Sequence, residues 1–161
     1  MTNIIIAITI FTTYTLIVCG IGRKVPNSLS KSVFMMPPYA SWIWTVCIGT
    51  IAFLIMPTLL DKAGENWKFL AFLSCVGLFF VALCPLSPRK DGPEYMAHMV
   101  GSYICTIASQ FLVAFTQPEV MALWLPWCIA FLCLKRGKKW PQAVFFAEIT
   151  CFVTTFTLFF I

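Results

Sequence analysis

Six runs of about 15 to 22 predominantly apolar residues, separated by short junctions rich in proline and charge, take up nearly all of this 161-residue chain. A bilayer core about 30 Å thick needs roughly 20 apolar residues per crossing helix, so runs of this length are read as transmembrane spans. They fall at about Asn3 to Ile21, Pro38 to Leu60, Trp67 to Pro85, Tyr95 to Thr116, Val120 to Leu134 and Ala143 to Ile161. The junctions RKVPNSLSKS, DKAGEN, LSPRKDGPE, TQPE and KRGKKWPQ supply the turns between them.

Composition narrows the architecture further. With 60% hydrophobic and 11% charged residues the chain is too apolar for an ordinary soluble domain. A transmembrane β-barrel would show strands of alternating character, whereas these runs are continuous. The expectation is therefore one all-α domain over residues 1–161, a polytopic transmembrane helix bundle of about six spans. The fifth run, VMALWLPWCIAFLCL, is short and carries Pro126 midway, where a kink is expected. Five spans plus a re-entrant segment is the alternative. Because the first run lacks a cationic leader and an A-x-A-like cleavage site, it is expected to be retained, with the mature chain starting near Met1.

Lysine and arginine set the orientation of such a bundle. Arg23, Lys24, Lys31, Arg89, Lys90, Lys135, Arg136, Lys138 and Lys139 fall in the first, third and fifth junctions, against only Lys62 and Lys68 at the others. That split of 9 to 2 places the odd junctions in the cytoplasm and both termini outside it, in a bacterial inner membrane. The net charge of +5 is then read as topology determinants and contacts to anionic lipid head groups, with no nucleic acid as partner. All eight cysteines lie within apolar runs and no C-x-x-C pair occurs, so they read as small buried apolar side chains.

Polar residues inside spans are the candidates for function, since they are costly in hydrocarbon and tend to face the bundle interior. In the fourth span His98, Ser102, Thr106 and Gln110 recur every fourth residue, beside a small-residue stripe of Ala97, Gly101, Cys105 and Ser109. The stripe permits close helix approach, and Gly101 is expected to matter more for packing than Gly77 in the third span. The polar series either ties helices together or lines a cavity opening to the cytoplasm with His98 near its mouth. Glu148 is the one acidic residue well inside a span. Paired with His98 or with Arg89, Lys90 or Lys135, it would form a structural tie or a proton-responsive site. In the first junction Ser28, Ser30 and Lys31 could hold a phosphate or lipid head group, or the serines could cap a short interfacial helix.

Enzymatic readings find little support. A hydrolase would need Ser28 or Ser30 with His98 and Asp91 or Glu94, but no G-x-S-x-G elbow is present. A metal site would have to draw on His98, Cys84, Asp91, Glu94 or Glu148 without any H-E-x-x-H or clustered Cys/His spacing, and no phosphate-binding glycine motif exists. No metal or other cofactor is expected. Pro57 and Pro126 match by position in a three-plus-three arrangement of spans, as an inverted-repeat transporter would require, though the sequences around them differ.

PNSLSKS at 26 to 32, ENWKFLAFLSCVGLFFVALCP at 65 to 85 and the histidine at 98 carry a resemblance. Over its first two-thirds the chain resembles an uncharacterised family of small bacterial polytopic membrane proteins. That family has a P-x-S-L-S motif before its second span, an F-L-A-F-L-S-C-x-G-L run in its third and a histidine opening its fourth. More loosely, the chain is similar to the six-helix group that includes the DUF998 and Frag1/DRAM families. The resemblance implies the six-helix fold and no particular activity. The expected function is non-enzymatic binding of a lipid head group or small solute at the cytoplasm-facing polar cluster, as a channel or carrier. An intramembrane lipid-modifying enzyme using His98 is the alternative. Membrane lipids are the expected partners, with a homo-oligomer as a further option.

Overall fold

In hydrocarbon no water is present to satisfy backbone N–H and C=O groups, so continuous apolar runs must pair those groups internally, as helices. The computed structural model describes residues 1–86, 91–135 and 140–161. Within them it is an all-α bundle: α1 (Thr2–Gly22), α2 (Trp42–Lys62), α3 (Gly64–Leu83), α4 (Pro93–Thr116), α5 (Leu125–Lys135) and α6 (Ala143–Thr157). Helices α1 to α4, 20 to 24 residues each, are long and apolar enough to cross a membrane. The segment Pro118–Leu134 and helix α6 are shorter apolar helices. The chain is a membrane protein, and its architecture agrees with roughly six spans.

Side-chain placement is that of a protein solvated by lipid. Phe53, Phe69, Leu16 and Leu132 project outward, each at least 65% exposed, while His98, Ser109 and Thr154 are buried. A soluble bundle would reverse that distribution.

Helices α2 and α3 form a hairpin joined through Ala63 alone, with Gly64 in the left-handed region at φ 62°, where glycine pays no Cβ penalty. At the other end of this hairpin the last carbonyls of α3 have no partner within their own helix. Side chains from neighbouring helices satisfy them. The Trp44 indole N–H donates to the Val81 carbonyl at 3.0 Å and the Thr45 hydroxyl to the Ala82 carbonyl at 2.8 Å.

Helices α3 and α4 make the most extensive pair, and their backbones touch at two facing glycines. A Cβ on Gly77 would lie 2.5 Å from the Cys105 nitrogen, and one on Gly101 would lie 2.6 Å from the Phe80 Cβ. The expectation that Gly101 outweighs Gly77 is corrected here, because the two form one crossing and neither has room for a side chain.

The irregularity near the fifth span takes another form from a mid-helix kink. Residues Pro118–Trp124 form a 3-10 helix that hands over to α5 at Leu125. Pro126 thus sits in the first turn of α5, where its missing N–H costs nothing. Pro57, by contrast, lies inside α2.

Candidate functional site

The first junction folds back into the bundle. Its chain leaves α1 through Arg23, left-handed at φ 47°, and reverses. The Tyr14 hydroxyl bonds the Ser32 hydroxyl at 2.7 Å. Tyr14 precedes the end of α1 by eight residues, so Ser32 lies about 12 Å back along the helix axis at 1.5 Å per residue. Leu29, Val33 and Met36 bury their side chains in the core, and Ser32 is fully buried. A 3-10 helix, Ser30–Met35, organises the segment, and the Lys31 N–H donates to the Ser28 hydroxyl at 3.1 Å. Of the three residues predicted to hold a head group here, Ser28 and Ser30 are buried and Lys31 is exposed.

The returning segment docks on the start of α6. The Leu29 N–H donates to Glu148 Oε2, and the Phe145 N–H donates to the Asn27 carbonyl at 3.2 Å. Among the described residues Glu148 accepts a backbone N–H of the first junction and makes no bond to His98; of the basic partners the sequence offered, the Lys135 side chain lies outside the described part of the structure. Arg89 and Lys90 lie outside the described residues, as do Arg136, Lys138 and Lys139.

Glu148 also lines a partly open cavity of about 60 Å³ between four helices. Helix α6 contributes Glu148, Cys151 and Thr155, α4 contributes Cys105, Thr106 and Ser109, α3 contributes Ser74, and α2 closes the wall with Ile55 and Leu59. The walls are apolar apart from these hydroxyls and thiols and the one carboxylate. Several hydroxyls are already turned to backbone: Ser74 donates to the Leu70 carbonyl at 2.7 Å and Thr155 to the Cys151 carbonyl at 2.8 Å. Among the described residues Glu148 is the only acidic group in the wall. Among the described residues no cluster of three or more histidine, cysteine or acidic side chains is placed to hold a metal ion.

Gln110 ties the cavity's neighbourhood together. Its Oε1 accepts from the Trp124 indole N–H at 2.8 Å and the Thr154 hydroxyl at 2.9 Å, while its amide nitrogen approaches the Cys151 carbonyl at 3.3 Å. One amide thereby joins α4, the 118–124 segment and α6. Composition signalled none of these partners, since tryptophan and threonine are common in apolar spans.

His98 stands apart from this group. It is 1% exposed, and its Nδ1–H donates to the Cys84 carbonyl at 2.7 Å, completing the set of side chains that satisfy the C-terminal end of α3. A four-residue step advances about 40° around an α-helix, so His98 and Gln110 point about 120° apart. The polar series of α4 is therefore divided. His98 faces α3, Ser102 is half-buried, Thr106 lines the cavity and Gln110 faces α6. His98 does not line the cavity that Glu148 heads.

Sequence reasoning missed the return of the first junction, although Leu29, Val33 and Met36 are spaced as one face of a helix, a pattern that marks a segment with something to pack against. In comparisons with protein-family models, curated proteins and solved structures, the chain matches none.

Proposed function

We propose that this protein binds a small cation or hydrogen-bond-donating amine in the cavity headed by Glu148, as a channel or carrier in a bacterial inner membrane. In this reading the basic junctions lie in the cytoplasm, both termini lie outside, and the solute reaches Glu148 from the cytoplasmic side. One observation carries it: the single carboxylate well inside a span lies in the wall of a cavity between four helices. The other five acids, Asp61, Glu65, Asp91, Glu94 and Glu119, all lie at helix ends or in connections.

Size and charge support a small solute over a lipid head group. A cavity of about 60 Å³ has room for a few waters or one small ion, well below the 300 Å³ or more typical of sites for larger ligands. A carboxylate attracts cations and N–H or O–H donors and repels phosphate. No comparable observation favours an enzyme built on His98, whose Nδ1 is committed to the Cys84 carbonyl.

The test is a thermal-shift series on the purified protein with potassium, ammonium and methylammonium, against N-methylglucamine, too large for the cavity, at equal ionic strength. A bound solute stabilises the folded state by mass action. At least one small cation should raise the melting temperature by a few degrees, and Glu148→Gln should remove that increment. Equal melting in all four salts, or an increment untouched by the substitution, overturns the reading.

A further inference from the structure

We infer that residues 27–32 form a cytoplasmic gate over the Glu148 cavity and that Glu148 is its latch, an inference about regulation that rests on the binding role proposed above. The carboxylate has two positions in the molecule at once. It lines the cavity, and its Oε2 accepts the Leu29 N–H. The group that an entering cation must engage is therefore the group that holds the first junction down.

The geometry divides the segment into a fixed and a releasable part. At its far end the Tyr14–Ser32 hydroxyl pair, 2.7 Å and buried, fastens it to α1. At its near end two hydrogen bonds fasten it to α6, Leu29 to Glu148 and Phe145 to the Asn27 carbonyl. A compact internal turn, with the Ser32 N–H on the Leu29 carbonyl at 3.0 Å and the Lys31 N–H on the Ser28 hydroxyl at 3.1 Å, lets residues 28–32 move as a unit. Breaking the two α6 bonds and withdrawing the Leu29 side chain from the core swings that unit about Ser32 and uncovers Glu148.

A hydrogen bond to an ionised acceptor is roughly twice as strong as one between neutral groups, so the latch is strongest when Glu148 is ionised. A cation in the cavity competes for the same charge. Occupancy and closure are thus opposed through one side chain, and the gate is held most firmly when the cavity is empty.

Cys151 provides the reporter. It lines the cavity and is 8% exposed, whereas Cys133 on α5 is exposed and supplies an internal standard for reagent reactivity. The full-length protein in detergent, in N-methylglucamine buffer without small cations, is treated with a charged methanethiosulfonate, and labelling at each cysteine is followed by peptide mass. Leu29→Pro removes the donor N–H at a residue whose φ of −61° already suits proline. Leu29→Ala removes more of the buried side chain than Leu29→Pro does and keeps the N–H. Leu29→Pro should label Cys151 about tenfold faster than wild type, while Leu29→Ala stays within about threefold, a tenfold change being about 1.4 kcal/mol in the opening equilibrium. Glu148→Gln keeps an acceptor oxygen and loses the charge, so its rate should fall between wild type and Leu29→Pro.

Equal Cys151 rates in Leu29→Pro and Leu29→Ala overturn the gate, and so does a wild-type rate in Glu148→Gln should Leu29→Pro fail to fold. Because the labelling is done without small cations, its outcome is separate from the thermal-shift test. Faster labelling in the variants with no cation-dependent melting leaves a gate over a cavity of different use. Cation-dependent melting with unchanged labelling removes the gate and keeps the binding site.

Discussion

His98 shows how a residue with catalytic credentials is put to use by its surroundings. The end of α3 leaves carbonyls that no residue of its own helix can reach, and a carbonyl buried from water needs a donor. Trp44, Thr45 and His98, from two other helices, supply three. What His98 contributes is an N–H at the right place, and substitution should reveal that. His98→Leu leaves the Cys84 carbonyl buried without its donor and should cost about 1–3 kcal/mol of unfolding free energy in detergent. His98→Gln, which keeps a donor of similar reach, should cost less than about 1 kcal/mol and leave any cation-dependent melting intact. Loss of that melting in a folded His98→Gln protein would assign the histidine to the cavity instead. The type and position of His98 were legible in the sequence. Its partner was a backbone carbonyl, which every residue possesses and which therefore leaves no mark in the sequence.

Among the elements, α3 and α4 depend most on what their residues lack. A helix pair in lipid gains little from the hydrophobic effect and holds together by close packing, which small residues permit. The small-residue stripe of α4 was legible for that reason. Its counterpart on α3 was not, because Leu73 and Val81 stand four residues to either side of Gly77, so no small-xxx-small pattern distinguishes it from a lipid-facing glycine. Both Gly77→Leu and Gly101→Leu should destabilise the detergent-solubilised protein by at least about 1–3 kcal/mol, since each side chain would be driven into the facing helix. Gly20→Leu, at a position where a Cβ would meet nothing within 4 Å, is the control and should fall within about 0.5 kcal/mol of wild type. A tolerated Gly77→Leu would mean the crossing is looser than the structure has it.

Nine of the eleven basic residues of the sequence fall in the first, third and fifth junctions, which the positive-inside reading puts at one end of the bundle. The contacts of α2 with the end of α3, of His98 with Cys84 and of Glu148 with Leu29 all join elements at that end. With those junctions in the cytoplasm, a reporter fused after Ile161 should be active only outside it. Labels placed in KRGKK at 135–139 should be reached only from within. A cytoplasmic C-terminus would sink the six-span orientation, and the direction of access to Glu148 with it.

Hydropathy and junction chemistry are local quantities, summed over a window of neighbours along the chain. From them the sequence alone determined that the chain is helical and membrane-embedded, where the long helices run, and that Glu148 is the acid set well inside a span. The 3.6-residue period also drew the polar series of α4, but a period says which residues share a helix face and nothing about what that face meets. Drift of about 40° per four residues sent His98 to α3 and Gln110 to α6, a division visible only once the neighbours were in place. The same holds for the first junction. Its reversal depends on Tyr14 meeting Ser32 and on a carboxylate 119 residues downstream accepting the Leu29 N–H. Tertiary structure decided which carboxylate holds that segment closed, because a donor present in every residue but proline acquires a specific partner only through packing.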